Sequence, residues 1–206
     1  MALFYRSLFF ISGLTILSMG VSLTIKADLG TGAWDALNVG LSKTVGLTPG
    51  SWVVIVGAIL IIVNAILVKR RPDIAAVVTI LITGGLIDFW ILQVFEDVVI
   101  TGYLKRFSVF LIGMITLSIG LAIYLQPKFP LIPIDNFMMA LRERLGLNLM
   151  LAKTLGEMIA LSAAFVFKGP IGIGTLIVTF AIGPLIQFFF PFFERLLNKL
   201  VVSSSR

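Results

Sequence analysis

The sequence predicts an all-α membrane protein. It has six transmembrane helices in two inverted three-helix repeats, each repeat with a short re-entrant or interfacial helix. Three observations lead there. First, the 206 residues are 59% hydrophobic and only 13% charged, with a mean hydropathy of +1.10, whereas a soluble domain carries about 25% charged residues. Second, six apolar runs approach the roughly 20 helical residues needed to cross a bilayer core. Third, the chain contains itself twice. Residues 6–47 align with 106–147 without a gap, with identities at Arg6/Arg106, Phe10/Phe110, Gly13/Gly113, Leu17/Leu117, Ser18/Ser118, Gly20/Gly120, Asp35/Asp135, Leu41/Leu141, Gly46/Gly146 and Leu47/Leu147. After a one-residue slip the match resumes, with Gly84–Phe89 against Gly183–Phe188. Duplication within a membrane chain is a signature of transporters that hold a site between related halves. The chain therefore divides as a single transmembrane domain, 1–206, made of repeat 1 (1–100) and repeat 2 (101–206).

The first span is 7–25. Arg6 and the apolar run Leu8–Ile25 imitate a signal peptide, but the run is long for a signal core and no small-x-small cleavage site follows it. The same pattern recurs at 107–125, mid-chain, so both are read as retained helices. The second span, 51–68, opens at Pro49-Gly50 and the third, 74–95, at Pro72, since proline is tolerated at a helix start. The fifth and sixth spans are 149–167 and 173–193. Pro170 precedes the sixth, and Pro184 inside it predicts a kink. The aromatic run Phe188–Phe193 predicts a membrane interface. Gly172-Ile-Gly-Thr175 lacks the spacing and basic residue of a phosphate-binding loop and predicts a flexible lead into the sixth span.

Between spans one and two, and again between four and five, a turn-rich stretch precedes a helix, 33–45 and 134–145. About twelve residues make a helix of about 18 Å, too short to cross. Such a helix either lies flat at the interface or dips in and returns, and non-helical backbone at membrane depth needs protein or a wet cavity around it. Both readings stand on sequence alone.

Charge sets the orientation. With a cytoplasmic N-terminus, eleven cations fall inside (Arg6; Lys69, Arg70, Arg71; Lys128, Arg142, Arg144, Lys153; Arg195, Lys199, Arg206) and five outside (Lys26, Lys43, Lys105, Arg106, Lys168). The positive-inside rule places both termini in the cytoplasm of a bacterial plasma (inner) membrane. Three spans per repeat is odd, so the second repeat enters upside down.

Composition excludes several classes. The net charge is +6, yet no basic block is long enough for nucleic acid. There is no Cys and no His, which removes thiol chemistry, His general bases and the usual zinc or haem ligands. No enzyme, cofactor or metal site is expected. The expected partners are the lipid bilayer and an unidentified small solute or ion, and a homo-oligomer is compatible with the sequence.

Polar residues stand out against this background. Asp35 and Asp135 occupy equivalent places near the start of each short helix. They read either as helix caps or as acids that the two helices bring together, with Asn38 and Asn136, at a solute or ion pathway. In the second case two like charges share one cavity, so one acid holds a proton or shares a cation. Asp88 and Gln187 form a second equivalent pair, in spans three and six, read as pathway groups or as interhelical hydrogen bonds. Lys153 and Glu157 are spaced i, i+4 for mutual neutralisation. Their repeat-1 counterparts are Val53 and Gly57, so this feature is asymmetric. Asn64 predicts a helix–helix hydrogen bond. Gly13 and Gly20, like Gly113 and Gly120, are seven apart and share a helix face, which predicts close packing of spans one and four.

The stretch Gly13–Asn38 resembles the opening signature of the YczE-like bacterial membrane proteins, related to the YitT group. The resemblance is carried by Lys26–Gly30, Trp34-Asp35 and the late Gly172–Thr175 element, and it extends over nearly the whole chain. It implies a multi-pass bacterial plasma-membrane protein, with Trp34 beside Asp35 among the signature residues, and no settled activity. Repeat 1 has Asp73-Ile-Ala-Ala76 where the Gly-Ile-Gly-Thr element would recur. The expected function is a small secondary transporter or permeation protein. A non-transporting membrane accessory or scaffold is the runner-up, ahead of a vitamin-importer subunit and a membrane enzyme.

Overall fold

The computed structural model describes residues 2–203, and Arg206, counted above among the inside charges, lies outside them. All regular structure among the described residues is helical: α1 (Ala2–Ala27), α2 (Ala33–Val45), α3 (Pro49–Val68), α4 (Ala76–Phe89) running into a π-helical turn (Trp90–Val94), α5 (Tyr103–Tyr124), α6 (Pro133–Leu145), α7 (Leu149–Val166) and α8 (Ile173–Ser203). By length and apolarity α1, α3, α4 with its π turn, α5 and α8 can each cross a membrane. α7 reaches that threshold only together with α6, from which it bends by 120°. The chain is thus an all-helical membrane protein with five spans, or six when the bent pair counts as one.

The short helices match their expected bounds within a residue. Pro49 and Pro133 stand at helix starts and Thr48 caps α3 through Ser51, as proline and N-cap preferences dictate. Three expectations need correction. α4 begins at Ala76, not at Pro72, because Pro72–Ala75 forms a turn in which Ala76 N–H donates to Asp73 O at 3.2 Å. α8 does not end with its aromatic run. It runs through Pro184 and Pro191 to a total length of 31 residues, about 46 Å at 1.5 Å per residue. The Gly172–Thr175 element is not a loose lead-in, since a Cβ on Gly172 or Gly174 would strike the Leu29 carbonyl.

Four left-handed residues fall in two pairs. Asp28 and Lys128, each just after its first helix, adopt left-handed φ of 54° and 58°. Lys69 and Lys168, at the ends of α3 and α7, both have φ of 53°. Non-glycine residues seldom take this conformation, and here it recurs at positions that the sequence alignment pairs.

α1 and α5 pack along the core, and glycine makes it possible. A Cβ on Gly13 would lie 2.5 Å from Tyr124 N, one on Gly113 would lie 2.9 Å from Thr24 N, and those on Gly20 and Gly120 would overlap the Leu117 and Leu17 backbones. Gly13 therefore meets Tyr124 while Thr24 meets Gly113, so the two equivalent helices run antiparallel. Around this pair the short helices cross over. α2 packs on α7, and α6 packs on α3. At one end, Lys26 Nζ donates to Glu96 O at 3.3 Å and Arg106 pairs with Asp28 at 3.1 Å, gathering the ends of α1, the π turn and α5. Asn64 Nδ2 donates to Pro133 O at 3.0 Å, the helix–helix bond expected of it.

Candidate functional site

The first turns of α2 and α6 each present an aspartate as third helical residue. Neither N-cap, Gly32 or Ile132, makes a side-chain cap hydrogen bond. The Asp35 carboxylate folds back over Gly32, where an added Cβ would meet its Oδ2 at 3.0 Å. Asp135 instead accepts a hydrogen bond from the Tyr124 hydroxyl at the end of α5. Tyr124 is 1% exposed and corresponds to Thr24 in repeat 1, whose hydroxyl bonds Thr31 Oγ1 at 2.9 Å. Sequence reasoning missed Tyr124. The available signal was a hydroxyl at the same register in both copies, one turn before each linker.

α7 brings the asymmetric pair. Lys153 and Glu157 line a cavity of about 50 Å³ together with Trp34 of α2 and Ile134, Asp135, Phe137 and Met138 of α6. That volume suits one or two waters or a small ion. The Trp34 and Phe137 rings meet edge-on, with centroids 5.8 Å apart at 85°, and close one side. Glu157 faces the backbone N–H of Ala33 at the positive end of α2 and interacts with Asp35 and Asp135, while Lys153 interacts with both Asp135 and Glu157. Lys153 and Glu157 do not close an ion pair of their own. The two closed pairs among the described residues are Arg70–Glu143 and Arg106–Asp28. Asp135, Glu157 and Lys153 thus share the cavity. Asp35, expected to line it with Asp135, stays outside its wall and of these three neighbours only Glu157, because its carboxylate turns back over Gly32. Among the described residues no group of three His, Cys, Asp or Glu side chains is arranged to hold a metal ion.

Other expected site residues lie elsewhere. Asn38, one turn beyond Asp35, is 3% exposed and its Oδ1 has no hydrogen-bond partner. Asn136 points to a separate pocket on the opposite face of α6. Asp88 accepts from Gly50 N–H at 2.8 Å and from the Thr48 hydroxyl, so it serves as a cap lent by α4 to the start of α3. Its counterpart Gln187 is exposed on α8. α7, like α3, has its own N-cap, Asn148, which accepts from Leu151 N–H at 2.8 Å, but α8 lends it no second acceptor as Asp88 does to α3.

Several apolar helices folded around buried ionisable groups define the class, an α-helical integral membrane protein. Within it, the chain belongs to the family described as "Family of unknown function (DUF6198)", whose model matches residues 4–191. It is 43% identical over 183 residues to "Uncharacterized protein YyaS" of Bacillus subtilis (strain 168), covering 89% of this chain and 91% of that protein. It is 32% identical over 197 residues to "Uncharacterized membrane protein YczE" of the same organism, covering 95% and 90%, as the sequence resemblance implied. An "Uncharacterized protein" of Haemophilus influenzae is 25% identical over 189 residues, covering 89% of this chain and 82% of its own length. No solved structure matches the chain.

Proposed function

We propose that this protein is a non-enzymatic secondary transporter or permeation protein for a small solute, built of inverted repeats in a bacterial plasma membrane with both termini cytoplasmic. The observation that carries the reading is the convergence of both halves on one polar cluster. Helix α2 comes from repeat 1, α6 and α7 from repeat 2, and between them they hold three half-buried acids and one half-buried lysine, with a cavity of water size beside Asp135, Glu157 and Lys153. Buried ionisable groups in a membrane protein are costly and mark pathways more often than scaffolding. The imbalance of three acids to one lysine calls for a proton or a small cation, which is what a coupling site would use. The antiparallel run of α1 against α5 supports inversion of the repeats, and sites at the interface of such repeats serve alternating access.

The test is charge deletion without loss of shape. Asp35→Asn and Asp135→Asn keep size and capping ability, since Asn caps as well as Asp. The double variant is expected to remain folded and monodisperse in detergent, with its thermal unfolding lowered by no more than loss of the charged Tyr124 hydrogen bond accounts for, and to abolish proton-linked or cation-linked uptake in proteoliposomes screened with small solutes. A double variant that folds and retains full flux would remove the carboxylates from the mechanism. Wild-type protein that moves no solute while both variants behave as wild type would favour an accessory membrane protein.

A further inference from the structure

We infer that α6 is the moving gate of this site, and that the pocket on its far face is the water-filled approach into which it moves. The inference rests on the transport reading. On one face of α6, residues 134, 135, 137 and 138 line the carboxylate cavity. On the other, Asn136, Met139 and Glu143 line a second pocket of about 240 Å³, completed by Asn64 of α3 and by Arg71 and Asp73 beyond it. The helical period puts these two sets on opposite sides. α6 is therefore a partition one helix thick between the polar cluster and a larger polar space.

Its repeat-related counterpart has no such space. A Cβ on Gly40 would lie 2.8 Å from Gly169 N, and one on Gly169 would overlap the Ala36 carbonyl. Two backbone hydrogen bonds stitch the same seam, Gly174 N–H to Leu29 O at 2.8 Å and Thr31 N–H to Pro170 O at 3.4 Å. On the α6 side the polar ties come from side chains near its start, Thr79 Oγ1 to Pro130 O at 3.0 Å, Asn64 to Pro133 O and Tyr124 to Asp135, so the first turn is the pivot. Among the described residues the polar tie at its far end is only the Arg70–Glu143 pair, whose side chains are 70% and 51% exposed, a kind of contact that holds little. Equivalent positions report the contrast: Met139 is 43% exposed and Val39 is 5% exposed. The linker into α6 carries Pro127, Pro130 and Pro133, and the helix ends on Gly146 at φ +66°, so its boundaries are set by breakers at both ends. One copy shut and one copy with room is the asymmetry expected of inverted repeats held in one of two access states.

The chain has no cysteine, so single-cysteine probes need no background removal. Met139→Cys and Val39→Cys would be reacted with a membrane-impermeant charged maleimide in right-side-out and inverted vesicles. Met139→Cys is expected to react from the side of Arg70, at least about tenfold faster than Val39→Cys, because a sealed position must wait for local opening. Gly169→Ala or Gly40→Ala, which force the α2 seam apart, should speed Val39→Cys from the opposite side and slow Met139→Cys. Equal rates at the two cysteines, or protection of Met139→Cys from both sides, would overturn the gate. The single-cysteine pair decides even where an alanine variant fails to fold. The expected labelling in a protein that moves no solute would keep the gate and sink the transport reading instead.

Discussion

The hydrogen bond from Tyr124 to Asp135 shows how one residue fixes the chemistry of the cluster. The phenol enters from α5 and holds the carboxylate beside Lys153 and Glu157 rather than over its own helix start. A hydrogen bond to a charged group contributes about 1.5–3 kcal/mol. Tyr124→Phe, which deletes only the hydroxyl, is expected to lower stability by about that amount, measured by denaturant or thermal unfolding in detergent. Its effect should largely vanish in an Asp135→Asn background, and a full-sized loss there would mean that the two groups do not act on each other. Most of the cluster was legible in the sequence because charge is conspicuous in an apolar chain: Asp35, Asp135, Lys153 and Glu157 all stood out. Tyr124 was not, since a tyrosine at the end of a span reads equally well as an interface anchor. Asp88 was ambiguous for a different reason. Its role depends on where Thr48 and Gly50 sit across the α3–α4 contact, and that register is a tertiary fact that no periodicity records.

At the scale of elements, the fold is organised by close approach of backbones. In lipid there is no hydrophobic force to drive helices together, so small residues that allow contact do the work. The glycine pairs of α1 and α5 were readable as faces because they repeat every seven residues in both copies. Gly20→Leu is expected to destabilise by about 1–3 kcal/mol or more through overpacking against Leu117, read as loss of monodisperse protein on size exclusion. Gly85, which meets nothing within 4 Å, is the control and should tolerate Leu with little loss. If both variants behave alike, the packing role of Gly20 is wrong. The glycines of 172–175 were misread as flexible because the partner that needs their missing side chains, Leu29–Gly30, lies about 140 residues away in the chain. The π turn at Trp90–Val94 left no trace in composition. It arises where Phe95 N–H reaches back to Trp90 O at 2.8 Å, a backbone choice that side-chain pattern does not encode.

For the whole molecule, duplication and charge make one joint prediction. Under the proposed reading, the antiparallel run of α1 on α5 sets the repeats in opposite directions, and charge bias predicts which end faces the cytoplasm. Lys105 lies one residue from Arg106, which pairs with Asp28 near Lys26 and the π turn. Arg70 lies at the other end of the bundle, paired with Glu143. Each polar cluster ties together chain ends that must share one side of the bilayer, so the two clusters mark its two faces. Cysteines placed at 105 and 70 are therefore expected to react with an impermeant reagent from opposite sides, with 70 on the cytoplasmic face together with the N-terminus. The excess of cations on the segments assigned to that face, which persists with Lys153 of the cavity left out, supports that assignment. Labelling of both from one side would contradict the odd number of spans per repeat, and with it the inversion on which the alternating-access reading depends. Labelling from opposite sides but with the two ends exchanged would leave inversion intact. It would show that charge alone does not set the orientation of this chain, and α6 would then open toward the outer face.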